Sequence, residues 1–88
     1  MREVSQQLAE HLGINPDNFR LAPDRQGGNG NLRLEFFPKS MSGKMLKPDA
    51  HTTQVDGIKP HIGASKVIVS GPADGLIDWV GQVVAIKE

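Results

Sequence analysis

The three histidines are the residues of this sequence best suited to acid–base or metal chemistry. His51 and His61 lie ten residues apart, with Asp49 and Asp56 near them, whereas His11 lies beside an apolar stripe at helical spacing. This spacing matches no zinc-binding pattern. We interpret His11 as a histidine at the edge of the core and the other two as solvated loop residues, so the sequence predicts no metal site.

Carboxylates and glycine-rich segments are the other candidates for chemistry. Asp74 and Asp78 are one helical turn apart, which is typical of a solvated helix face rather than an acid–base pair. Residues 26–30 (Gln-Gly-Gly-Asn-Gly) lack the Gly-Lys-Ser/Thr ending of a phosphate-binding loop, and residues 42–44 are too short to indicate one. We therefore expect no enzymatic activity and no cofactor.

Composition and charge narrow the class of protein further. The 88 residues allow for one domain, and the absence of cysteine excludes a disulfide scaffold, a thiolate zinc site and a thiol nucleophile. Ten basic residues balance ten acidic ones, which argues against a nucleic-acid binder without excluding it. No apolar run approaches the ~18 residues of a membrane span, and no signal-peptide segment follows Met1, so the sequence predicts a cytoplasmic chain without membrane association.

Apolar stripes predict a helix at each end of the chain. The first covers residues 3–12, and Gly13 after it suits the left-handed residue that closes a helix. The second covers residues 72–86, with Pro72 as its first residue and Asp78 and Gln82 opposite the stripe.

Strict alternation predicts strands between the two helices. Residues 31–37 place Leu32, Leu34 and Phe36 on one face. Residues 66–70 are apolar and β-branched on both faces, which is typical of a buried strand.

The segment before the 31–37 strand has two interpretations. In one, Asn15 caps a second helix that begins at Pro16 and that Pro23 stops. In the other, residues 19–22 form a short strand, which the glycine-rich loop over 24–30 joins to the next strand as a hairpin. The alternation that follows favours the strand.

Three prolines interrupt residues 38–66. Within this stretch Ser40 is expected to cap a single helical turn through residues 41–46. Asp56-Gly57 is the two-residue signal of a hairpin, and Pro60 would hold the second arm of that hairpin at a sheet edge.

These elements predict one α+β domain over residues 1–88, a small open-faced sandwich. Three to four antiparallel strands would carry the N- and C-terminal helices on one face. The expected core comprises Val4, Leu8, Leu12, Leu21, Leu32, Leu34, Phe36, Val67, Val69, Leu76, Ile77, Val80 and Val84.

The lysine-rich, proline-broken middle of the chain is the candidate binding surface. Its methionines and other apolar residues are expected to be exposed, and methionine adapts to the shape of a partner. Lysines around them would steer the surface toward acidic partners. We expect a small non-catalytic protein-interaction or regulatory module that binds a protein partner or its own copy through Phe37, Lys39, Met41, Lys44, Met45, Leu46 and Lys47.

A DNA-binding regulator is the alternative hypothesis, and it rests on residues 3–22. The spacing of Ala9 and Gly13 resembles the first helix and turn of helix-turn-helix proteins. Pro23 cuts short the segment that would form the recognition helix, and Arg20 is the single basic residue in that segment.

Two further segments resemble the histidine-containing phosphocarrier (HPr) family. Residues 39–45 are similar to its lysine-serine…glycine…methionine segment, and residues 57–74 to its last strand and helix entry. The resemblance implies an open-faced sandwich, with Ser40 in the position of the family's regulatory serine and an interaction surface near Met41 and Met45. The phosphorylated histidine of that family precedes an arginine-proline pair, which the sequence lacks after His51, so the resemblance implies no phosphocarrier activity.

Overall fold

A computed structural model describes residues 2–25 and 30–87, and its first element is a helix. Helix α1 (Arg2–Leu12) buries Leu8 and Leu12, which confirms the helix predicted over 3–12. Gly13 ends it at a φ of +69°, and the Gly13 N–H donates to the Ala9 carbonyl over 2.9 Å. A left-handed residue at this position favours glycine.

The segment with two interpretations forms a single 3-10 turn and then a strand. Asn15 caps the turn Pro16–Asn18, because its side-chain oxygen accepts a hydrogen bond of 2.9 Å from the Asp17 N–H. Strand β1 (Arg20–Pro23) follows. The cap at Asn15 was therefore predicted correctly, but the helix that it begins ends after one turn because the strand places Leu21 opposite Leu34.

Four antiparallel strands form the main sheet: β1 together with β2 (Asn31–Phe36), β4 (Lys59–Ile62) and β5 (Val67–Pro72). Their order across the sheet is β1–β2–β5–β4. The β1–β2 hairpin is as predicted, although residues 26–29 of its predicted loop lie outside the described part of the chain. Pro60 lies in the edge strand β4, where its missing N–H breaks no interior ladder.

Two predictions for the middle segment are wrong. The expected helical turn through residues 41–46 is absent from these described residues, because Pro38–Ser40 already forms a 3-10 turn and Lys44–Leu46 is strand β3. The turn at Asp56-Gly57 exists, but the expected hairpin does not form, because the chain before the turn is no strand. The segment before the turn instead carries another 3-10 turn, Pro48–His51.

The C-terminal helix is shorter than its stripe predicted. Helix α2 (Ala73–Val83) gives way to strand β6 (Val84–Ile86), which pairs antiparallel with β3. Val84 continues the helical stripe and also suits a strand, since β-branched residues favour extended structure. Pairing with β3 decides between the two, because Leu46 lies opposite Val84.

A single core lies between the main sheet and the two helices, which cover one of its faces, as predicted for an α+β sandwich. Most of the expected core residues are buried, and the others are partly buried and pack against the core: Val4, Leu21, Leu32, Ile77 and Val84. Five residues outside the predicted core are buried as well: Ile14, Ala50, Ile58, Trp79 and Val83. The radius of gyration of 11.8 Å agrees with the ~12 Å of one compact domain of this length.

Candidate functional site

The fold divides the predicted interaction surface between two places. Phe37 continues β2 in an extended conformation, so by alternation its side chain lies on the same side of the sheet as Arg33 and Glu35. Met45 instead lies on the two-stranded β3–β6 sheet. We call residues 44–47 with residues 84–87 the ribbon surface, and the face of the main sheet turned away from the helices the open sheet face.

The ribbon surface carries two of the exposed large apolar side chains of the described residues. Ile86 is 76% exposed and Met45 is 43% exposed. Met45 lies opposite Ala85 on one face of the ribbon, and Ile86 lies opposite Lys44 on the other. Ile86 was not among the residues predicted from sequence, because the helix predicted over residues 72–86 assigned this strand residue to a helix.

Two of the apolar residues expected on the binding surface are turned toward the core instead. Leu46 is partly buried and packs against the core, on the same face of the ribbon as Val84. Met41 is likewise partly buried against the core. The expectation that Met41 and Leu46 are exposed is therefore corrected, and Met45 and Phe37 remain the exposed apolar members of the predicted set.

The lysines of the predicted surface also differ in what they do. The Lys44 ammonium donates to the Glu10 carbonyl over 2.9 Å, in the last turn of α1, where helix carbonyls lack partners and attract cations. Lys44 therefore fastens β3 to α1. Lys39 and Lys47 are exposed on the surface.

Hydrogen-bond register determines which edge of the ribbon is free. The Lys47 N–H donates to the Val83 carbonyl over 2.7 Å and the Lys87 N–H donates to the Gly43 carbonyl over 2.9 Å. Since bonded pairs alternate along an antiparallel ladder, the backbone N–H and C=O of Ile86 point away from β3. In the part of the chain that the structure describes, this sheet has no third strand to meet them.

The outer edge of β3 is less available than that of β6. The Ser42 N–H, just before β3, donates to the Gly13 carbonyl over 2.7 Å. A Cβ on Gly13 would come within 2.7 Å of the Ser42 carbonyl oxygen, so the turn after α1 approaches this edge closely. Among residues 2–25 and 30–87, the free edge of the ribbon is therefore the β6 edge at Ile86.

The open sheet face brings basic residues together from all four strands. Strand pairing forms one row across the sheet from Arg20, Glu35, Ile68 and His61, and a second row from Ala22, Arg33, Ser70 and Lys59. Lys66 also reaches this face, because its ammonium lies 3.7 Å from Glu35 Oε1. One signal of this face is visible in the sequence, namely the charged Arg33 and Glu35 between the apolar residues of β2. The contributions of the other strands depend on strand pairing.

The histidines form no metal-binding arrangement in the described residues. His51 lines an open cleft of about 630 Å³ together with residues 53–58 and Pro60. Across residues 2–25 and 30–87, no three histidine or carboxylate side chains lie together as potential metal ligands. His11 is exposed at the end of α1.

The segment 3–22 does not have the architecture of a helix-turn-helix motif. It contains α1, the 3-10 turn Pro16–Asn18 and the start of β1. A recognition helix must be long enough to enter the major groove, and the short 3-10 turn stands where that helix would begin. The resemblance to a helix-turn-helix is corrected for this reason.

Comparisons with known proteins identify no relative of this chain. No protein-family model matches it, and neither a curated protein nor a solved structure does.

The helices α1 and α2 have eleven residues each, about half of the ~20 that cross a bilayer. Neither of these described helices is long enough to span a membrane.

Proposed function

We propose that the protein is a non-catalytic interaction module that associates with a second copy of itself through the β6 edge of the ribbon surface. The observation that carries this proposal is the exposure of Ile86 at the edge of the ribbon. Its side chain is the most exposed large apolar one in the described residues, at 76%, and its backbone groups face outward from the ribbon. An edge strand of this kind is a template for pairing with another chain.

Pairing of two β6 strands about a twofold axis satisfies the free groups of Ile86. If Ile86 lies opposite its own copy, each Ile86 N–H donates to the Ile86 carbonyl of the other copy. The two ribbons then form one four-stranded sheet, and the two Ile86 side chains meet on one face. The formal net charge of zero adds no overall repulsion between the copies.

The size of the ribbon limits the strength of this association. Strands β3 and β6 have three residues each. Pairing of the ribbons of two copies therefore buries less area than a standard interface of about 1,600 Å². We therefore expect a weak dimer that forms with rising concentration.

Sedimentation equilibrium over a concentration series tests the proposal. The unsubstituted protein should show a monomer–dimer equilibrium that Ile86→Lys abolishes, because two ammonium groups would meet at the twofold axis. Gln6→Lys on exposed α1 adds the same charge away from the ribbon and should dimerise normally. Met45→Lys should weaken the dimer less than Ile86→Lys, since Met45 lies one strand further from the axis.

Two results would contradict self-association through this edge. One is a protein that stays monomeric at every concentration, which would leave the ribbon surface to a different protein partner. The other is an Ile86→Lys variant that dimerises as strongly as Gln6→Lys.

A further inference from the structure

We propose that the open sheet face binds single-stranded nucleic acid through its phosphates, with Phe37 as a platform for one base. This inference is independent of self-association, because it concerns the main sheet and not the ribbon surface. It also qualifies the sequence argument from net charge, since a balanced total says nothing about where the charges lie.

Charge is distributed unevenly over the molecule. Four of the ten basic residues of the chain lie on the open sheet face: Arg20, Arg33, Lys59 and Lys66. The acidic residues on the helices lie on the other side of the sheet, and those that are exposed include Glu3, Glu10, Asp74 and Asp78. A surface of net positive charge attracts a polyanion and steers it toward that side of the molecule.

Glu35 is the one acidic residue in the two rows that cross this face, and basic residues already surround it. The Arg33 guanidinium lies 3.6 Å from one of its carboxylate oxygens and the Lys66 ammonium lies 3.7 Å from the other. Two cations compensate this single carboxylate, so Glu35 does not neutralise the face. Both pairs are partly exposed, which leaves the cations accessible to phosphate oxygens.

Arg20 and Lys59 extend the basic surface to both edges of the sheet. Arg20 belongs to the edge strand β1 and Lys59 to the opposite edge strand β4. Three strand spacings separate these edges, about 14 Å, so a bound strand can meet cations along its whole path. At the end of β1, Arg25 and Arg33 line a groove of about 370 Å³ together with Pro23 and Asp24.

Phe37 supplies the aromatic ring that a single-stranded ligand requires. It is 44% exposed and follows β2 at the point where the ladder has reached Phe36 opposite Val67. Continuing this antiparallel register by one residue places Phe37 opposite Lys66, which directly precedes β5. The ring therefore lies at the same end of the sheet as a cation. Stacking of a base on an aromatic ring next to a basic surface is typical of proteins that bind single strands without sequence preference.

The composition of the face favours a nucleic acid over an acidic protein. Protein interfaces have a centre depleted in charge and rich in large apolar residues, whereas the middle of this face holds the Arg33–Glu35 pair beside a partly buried Ile68. A single strand fits better than a duplex for two reasons. The described face is a sheet and presents no helix that could enter a major groove. A base can stack on Phe37 only if it is not already stacked within a duplex.

Fluorescence anisotropy of a labelled oligothymidine tests this proposal. The expected result is binding that weakens with added salt, because each neutralised phosphate of a single strand contributes about −0.7 to the slope of log affinity against log salt. The double variant Arg20→Gln/Lys59→Gln should bind more weakly and lose about 1.4 of that slope. Gln6→Glu/Gln7→Glu lowers the net charge by the same two units on the exposed side of α1 and should retain both affinity and slope.

Three further arms of the experiment determine the kind of ligand. Phe37→Ala should weaken binding and Phe37→Trp should retain it, without a change of salt slope, since stacking releases no counterions. Oligothymidine annealed to oligoadenine should bind less well than the single strand. Poly-L-glutamate should compete less well than unlabelled oligothymidine.

The proposal is overturned if the unsubstituted protein shows no binding at low salt, or if the two double variants behave alike. It is also overturned if the duplex binds more tightly than the single strand, or if poly-L-glutamate competes as well as oligothymidine, which would indicate an acidic protein. An unchanged affinity of Phe37→Ala would remove the stacking role that the proposal gives to this residue.

Discussion

Trp79 is the single tryptophan of the chain, and it combines the largest buried side chain with an unsatisfied donor. The side chain is 0% exposed, and its indole Nε1 has no hydrogen-bond partner among the described residues. An unmade buried hydrogen bond costs ~1–3 kcal/mol, which the burial of the ring outweighs. Trp79 was not in the predicted core, and tryptophan is less often fully buried than aliphatic residues.

The orphaned donor makes Trp79→Phe a mild substitution. Phenylalanine keeps most of the apolar ring and removes the unsatisfied N–H, so we expect it to cost clearly less stability than Trp79→Ala. The alanine variant creates a cavity and should lower the free energy of unfolding by ~3–5 kcal/mol. Urea unfolding followed by circular dichroism measures both. Equal losses for the two variants would mean that the indole N–H is well satisfied in solution.

Leu34 tests the position of the core at the same scale. It is fully buried in the central strand β2, so Leu34→Ala should lower the free energy of unfolding by ~2–5 kcal/mol. Phe37→Ala, three residues further, removes a larger but exposed side chain and should change stability much less. A loss for Phe37→Ala as large as that for Leu34→Ala, in the same urea experiment, would contradict the assignment of faces to this strand.

At the scale of elements, helix α2 contains two glycines in contrasting surroundings. A Cβ on Gly81 would meet nothing within 4 Å, whereas a Cβ on Gly75 would lie 2.7 Å from Ile58 Cδ1. Ile58 belongs to the buried core, and its Cγ1 would also lie 3.0 Å from that Cβ. Gly75 therefore allows α2 to approach Ile58 closely, while Gly81 lowers helix propensity without such a contact.

This contrast gives a matched pair of substitutions. Gly81→Ala should raise the free energy of unfolding by ~0.5–1 kcal/mol, because alanine favours the helix and nothing obstructs its methyl group. Gly75→Ala should show no such gain, because the same methyl group must displace Ile58. Thermal or urea unfolding of both variants provides the comparison. A gain at Gly75 equal to that at Gly81 would contradict the close packing of α2 on Ile58.

Local sequence patterns predicted those elements that nearby residues determine. The α1 stripe with its closing Gly13, the alternation of β2 and the edge position of Pro60 all follow from nearby residues. The β3–β6 sheet was missed because each strand has three residues, too few for alternation to show. Its strands are also remote in sequence, with Met45 opposite Ala85, so their pairing emerges only from the complete fold.

At the scale of the whole molecule, the candidate binding surfaces depend on this same long-range pairing. Met45 and Phe37 were correctly predicted to be exposed, but they were expected on one surface. The fold puts Phe37 beside the basic open sheet face and Met45 on the ribbon with Ile86. The sequence gives the net charge of zero. The topology is needed to show that basic residues lie on the sheet and acidic residues on the helices.

The most direct test of the central claim, association through the β6 edge, is a dilution series of two-dimensional amide NMR spectra. If two copies pair at Ile86, the amide signals of residues 84–87 should shift with concentration, while those of Arg20, Arg33 and Lys59 stay constant. Amide positions that are independent of concentration throughout, or concentration-dependent shifts centred on α1 or the main sheet, would contradict the account.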